Sequence, residues 1–86
     1  MKNINEIISN NLEKMQNQNI VIIQEGFIEG KYSIEKAKCK IEEEILCIED
    51  NNNYLRINLN QIYNIETKQD GITMYLDNDI KVIIKY

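Results

Sequence analysis

The chain has 86 residues, a formal charge of −4 and a pI near 4.8. That is enough for one domain, residues 1–86, with one core, and it argues against direct binding of nucleic acid or an anionic membrane, since phosphate neutralisation needs Lys and Arg in surplus on one face. A hydrophobic share of 43% beside 28% charge belongs to a chain that folds. With no histidine anywhere, Ser-His and Cys-His catalysis and His-based metal sites are excluded by composition.

Residues 3–16 read as an amphipathic helix, because Ile4, Ile7, Ile8, Leu12 and Met15 recur at three- and four-residue spacing while Asn10, Asn11 and Glu13 fall elsewhere. Asn3 followed by Glu6 resembles a capping box. No apolar run approaches the roughly 18 residues of a membrane span, and the opening MKNINEIISNN lacks the apolar stretch of a signal peptide. The expected location is therefore the cytoplasm, of the producing cell or of its host. After NQN breaks the period, IVIIQ is a continuous apolar run expected as a strand buried on both sides. Gly26 and Gly30 mark turns or a bulge around Phe27 and Ile28.

Residues 33–48 read two ways. Ala37, Cys39 and Ile41 alternate with Lys36, Lys38 and Lys40, which is a strand pattern, while Ile34, Ala37, Ile41, Ile45 and Ile48 fit a helical face. The strand reading is favoured. A two-residue turn at Glu42-Glu43 then puts Cys39 near Leu46, and a three-residue turn at Glu42-Glu43-Glu44 puts it opposite Cys47. Two cysteines make no disulfide framework; both are expected as small buried thiols.

Turn chemistry sets the registers that follow. A turn at Asn51-Asn52 pairs Ile48 with Leu55 and Leu46 with Ile57. A type I′ turn at Asp70-Gly71 sets Thr67 opposite Met74 and Ile65 opposite Leu76. A three-residue loop, Asp77-Asn78-Asp79, aligns Leu76 with Ile80, Met74 with Val82 and Ile72 with Ile84, so that every core residue agrees. The fold class expected is α+β, with the N-terminal helix packed on an antiparallel β-meander of about five or six strands that can curl into a half-open barrel.

No catalytic residue and no cofactor are expected. The glycines are isolated rather than gathered into a phosphate cradle, and the acidic runs do not match the spaced ligands of a calcium loop. What remains is surface. On the expected registers Glu66, Tyr75 and Lys81 share one sheet face with Lys68, Thr73, Ile83 and Lys85, and Tyr54 and Arg56 share another patch with Ile45, Cys47 and Glu49. Tyrosine and arginine are frequent interface anchors. One patch is expected beneath the helix and the other as an interface for a protein partner. The run Glu42, Glu43, Glu44 adds a candidate acidic contact. The closing strand, Ile80 to Lys85, is either closed onto IVIIQ or left as an edge, and a free edge would serve a homodimer.

Two resemblances rest on these residues. The stretch YLRINLNQIYNIETKQDGITMYLDNDIKVIIKY resembles the strand meander of bacterial PH-like or GRAM-like domains. In size and composition, as a compact, acidic, histidine-free chain with a helix ahead of a small sheet, the protein resembles phage and prophage inhibitors of bacterial defence, including anti-CRISPR proteins. The second resemblance implies a non-enzymatic inhibitor whose acidic side chains compete for the basic nucleic-acid channel of a nucleoprotein effector. The first implies a binding module or a small self-assembling subunit.

Overall fold

The computed structural model describes residues 3–27 and 29–86. Its elements are α1 (Ile4–Met15), β1 (Ile20–Glu25), β2 (Gly30–Ile34), β3 (Lys38–Glu42), β4 (Ile45–Glu49), β5 (Tyr54–Asn58), a 3-10 turn (Leu59–Gln61), β6 (Ile62–Lys68), β7 (Gly71–Leu76) and β8 (Ile80–Lys85). The fold is α+β, as expected, with eight strands among the described residues in place of five or six. Ile28 lies outside the described residues, so the reading of a turn around it stays at the sequence.

The helix begins as its cap dictates, with the Asn3 side chain accepting the Glu6 backbone N–H at 3.1 Å. Ile8 and Met15 are fully buried. Asn11, which the periodicity placed off the apolar face, is buried too. Its amide donates to the Ile7 carbonyl at 2.8 Å and its oxygen accepts the Tyr86 hydroxyl at 3.0 Å, so both polar ends are satisfied.

The strands form two antiparallel sheets, one ordered β2-β1-β8-β7-β6 and the other β3-β4-β5. Neither β2 with β3 nor β5 with β6 is paired, so the sheets do not close into a barrel. One core lies between them: Ile22, Ile72, Ile84, Met74 and Val82 from the larger sheet face Leu46, Ile48 and Ile57 from the smaller, with Ile8 and Met15 of α1 in the same cluster. The helix packs against β3 and β6, the strands flanking the open sides. There it also blunts an edge, because the Gln16 side chain bonds both backbone groups of Cys39. Asn17 N–H donates to the Ala37 carbonyl at 2.8 Å, and Ala37 N–H donates to the Gln18 carbonyl at 2.9 Å.

Two registers fall as expected. Leu46 pairs with Ile57 and Ile48 with Leu55, and Leu76, Met74 and Ile72 pair with Ile80, Val82 and Ile84. Residues 33–48 are strand and turn, with the β3–β4 turn at Glu43-Glu44, one residue beyond the first of the two readings. Cys39 therefore pairs with Ile48, and Cys47 with Lys40. The two thiols are free and buried, on opposite faces of the small sheet. The β6–β7 turn lies at Gln69-Asp70, which pairs Ile65 with Met74 and Thr67 with Ile72. Gly71 is in the strand, paired with Lys68 and Lys85, where a Cβ would sit 2.0 Å from the Ile84 carbonyl oxygen; the glycine serves close backbone approach and not a positive φ.

One further expectation is corrected, and of the two alternatives for the closing strand the structure takes closure onto IVIIQ. β1 buries Ile20 and Ile22 on one face and leaves Val21 and Ile23 half-buried on the other, so it is covered on one side only. The closing strand β8 is paired with β7 on one side and β1 on the other, which removes the free edge that a homodimer through that strand requires.

Candidate protein interface

Strand alternation sorts the outward side chains into two faces, and turn positions create a third surface at one end. The helix turns its Ile8 and Met15 face into the core and packs against β3 and β6, so neither outward patch lies beneath it.

On the small sheet, three cross-strand rows set Lys38, Glu49 and Tyr54 together, then Lys40, Cys47 and Arg56, then Glu42, Ile45 and Asn58. Tyr54 is 67% exposed and Arg56 stands 5.3 Å over its ring, a cation–π contact that holds both anchors outward. Lys40 pairs with Glu42 at 3.0 Å. Between these charges Ile45 and Cys47 floor an open hollow of about 210 Å³. Tyr54, Arg56, Ile45, Cys47 and Glu49 are thus together, as the register implied.

On the large sheet, Tyr75 pairs with Lys81 across β7 and β8, and Glu66 lies one diagonal away on β6. The Tyr75 hydroxyl donates to Glu66 Oε1 at 2.7 Å. That bond, with some desolvation, raises the tyrosine pKa above its usual value. Lys81 lies 5.9 Å from the Tyr75 ring centroid and 3.8 Å from Glu25. Tyr63, 64% exposed, extends the surface from the far side with its ring centroid 6.4 Å from that of Tyr75. Next to this network Ile23 of β1 pairs with Ile83 of β8. Ile23 and Lys31 were missing from the sequence-derived patch, because the β1–β8 pairing is long-range and an all-apolar run hides which side chains face out. Tyr63 was missing because a bulge between Ile62 and Asn64 shifts the alternation.

The third surface is acidic. Glu43 and Glu44 form the β3–β4 turn with positive φ at both positions. The Glu44 carbonyl accepts Leu59 N–H at 2.9 Å and its carboxylate accepts the Asn60 amide at 2.9 Å. Asp77 N–H donates to the Gln61 carbonyl at 3.0 Å, and Gly26 lies so close to Asp79 that a Cβ would come within 2.1 Å of its carbonyl oxygen. Four chain connections therefore meet at one end and present Glu29, Glu43, Glu44, Asp77 and Asp79, all exposed. Glu42 stands at its border. Asp50 and Asp70, also acidic turn residues, lie at the opposite end; Asp50 is held below the usual carboxylate range by the backbone N–H groups of Asn52, Asn53 and Glu35.

Charge is thus segregated. Seven of the ten Lys and Arg residues, but only four of the fourteen acids, point outward from the two sheets; the remaining acids lie on turns and the helix. What the fold and these surfaces define is an α+β two-sheet domain with two uncovered, tyrosine-bearing faces and one acidic end. No protein-family model, curated protein or solved structure matches the chain.

Proposed function

We propose that this chain is a protein-binding inhibitor with no catalytic chemistry of its own, of the kind phages carry against bacterial defence effectors such as CRISPR-Cas complexes. The observation that supports this reading is the acidic end: Glu43, Glu44, Asp77 and Asp79 are carried on connections tied to one another by backbone hydrogen bonds, with most of the basic residues on the sheet faces. A group of carboxylates on a preorganised backbone offers a basic nucleic-acid channel what phosphates would offer it, at the cost of ordering side chains alone. Each exposed charge pair is worth only about 0.2–1 kcal/mol, so the acids supply association rate and selectivity. Affinity then comes from the adjoining small-sheet face, with Ile45 in the row nearest the acidic end and Arg56 and Tyr54 as anchors in the two rows beyond it. The competing module reading, in which the chain self-assembles, has to use β2, β5 or β6 as its edge, since β8 is paired on both sides.

The test is interference in cells. Expression of the chain in a strain carrying the cognate defence system is expected to restore phage plating, and replacing Glu43, Glu44, Asp77 and Asp79 by Lys is expected to abolish that rescue while the domain stays folded. Phage plating unchanged by the native chain, across strains carrying different nucleoprotein effectors, would sink the proposal.

A further inference from the structure

The outer face of the large sheet carries apolar residues that serve no part of the core. Val21, Ile23 and Ile83 are half-buried, form one contiguous patch through the Ile23–Ile83 and Val21–Lys85 pairings, and are absent from the packed cluster between the sheets. The charges around them are not balanced. Glu25 is ion-paired with Lys81 and Glu66 keeps its charge while accepting the Tyr75 hydroxyl, so two carboxylates stand against four lysines, of which Lys31, Lys68 and Lys85 are exposed and make no ion pair among the described residues. On a molecule of net −4, this face is locally positive around an apolar centre.

We propose that this face docks an acidic amphipathic helix of a partner protein, its apolar stripe on Val21, Ile23 and Ile83 and its flanking carboxylates on Lys31, Lys68 and Lys85. Dimensions agree with one helix. Strands of about six residues at about 3.4 Å per residue run roughly 20 Å, which matches about 13 residues of helix at 1.5 Å rise. Complementarity fixes the sign of the partner, since a basic segment would meet three unpaired lysines. A second copy of this chain is disfavoured by the same charges. β8 is the central strand of the five, so two such faces stacked about it bring Lys81 and Lys85 against their own counterparts. This inference does not rest on the acidic end, and either reading can fail without the other.

The experiment is titration of ¹⁵N-labelled protein with a synthetic helical peptide of about 14 residues, Leu on one face and Glu beside it, against the same peptide with Lys in place of Glu. The expected result is shifted amides in β1, β7 and β8 with the Glu peptide alone, and at least a tenfold weaker Kd for the double variant Lys31→Glu, Lys85→Glu, equivalent to about 1.4 kcal/mol. Both substituted side chains are exposed, so the fold is retained, and unchanged amide dispersion verifies it. Equal binding of the Lys peptide, shifts confined to other strands, or no shift at millimolar peptide would overturn the proposal. So would sedimentation showing that the protein alone buries this face in a dimer, or binding to phosphatidylglycerol vesicles in preference to the peptide.

Discussion

The β3–β4 turn offers a perturbation whose size follows from backbone geometry. Glu43 and Glu44 hold φ of +50° and +64°, left-handed conformations that cost a residue with a Cβ about 1–2 kcal/mol and for which hairpins favour Asn followed by Gly. Glu43→Asn with Glu44→Gly relieves about 2 kcal/mol over the two positions. Against this stand about 0.5–1 kcal/mol for the added freedom of glycine in the unfolded chain and about 0.5 kcal/mol for the exposed Asn60–Glu44 side-chain bond. The backbone bond from Leu59 to the Glu44 carbonyl is kept. A net gain of about 0.5–1 kcal/mol raises Tm by about 2–8 °C in a domain of this size, read by calorimetry. The same variant removes two carboxylates from the acidic end, and under the proposed function it is expected to bind a nucleoprotein effector more weakly, a trade of stability against that function. A Tm that stays the same or falls refutes the strain argument; a raised Tm with binding intact takes the turn out of the interface.

Other outcomes are expected at four sites, with Tyr54→Phe as the exposed control. Gly71→Ala is expected to destabilise the protein by about 2–3 kcal/mol in urea titration, because its Cβ has only backbone to move against. Tyr86→Phe leaves the buried Asn11 oxygen without its donor and should cost about 1–2 kcal/mol, whereas Tyr54→Phe, at an exposed position, should leave the urea midpoint where it is. Burial pushes the Cys39 thiol from 9.0 up to about 11; the unfolded chain ionises first, so this contribution is complete below pH 9 and is lost as pH rises towards about 11. Cys39→Ala should flatten that alkaline limb. For Asp50 the sign is opposite: its depressed pKa gives stability that is present above the ordinary 3.8 and lost as pH falls through the folded value, and Asp50→Asn should remove that acid dependence.

The sequence carried local structure better than long-range pairing. The helix and its Asn3 cap, the β4–β5 register and the β7–β8 register all follow from apolar spacing and loop length, because those interactions are made within one hairpin or one turn. At Asp70-Gly71 the same logic misplaced the turn: a glycine beside an aspartate signals positive φ, but here it answers a close approach by Ile84 from a neighbouring strand. The pairing of β1 with β8 joins residues some sixty positions apart, and no local pattern chooses between that closure and a free edge, which is why Val21, Ile23 and Lys31 were not placed on the Tyr75 face. Two consecutive glutamates in left-handed conformation contradict intrinsic preference, which is why the β3–β4 turn read one residue early. The separation into two sheets depends on irregular connections at 35–37 and 59–61, where Lys36 takes φ +48°. The candidate patches survived these errors because a two-residue register shift keeps every side chain on its face.

On the proposed function the acidic end occupies a nucleic-acid channel on another protein. This is tested most directly by competition: a purified effector nucleoprotein, a fluorescent nucleic-acid target, and increasing amounts of this chain over a series of salt concentrations. The protein is expected to displace the target, with displacement weakening steeply with salt, and the variant with Lys at 43, 44, 77 and 79 is expected to fail. Formation of a ternary complex in which effector, target and this protein are bound together, or displacement by the Lys variant equal to that of the native chain, would contradict the proposal.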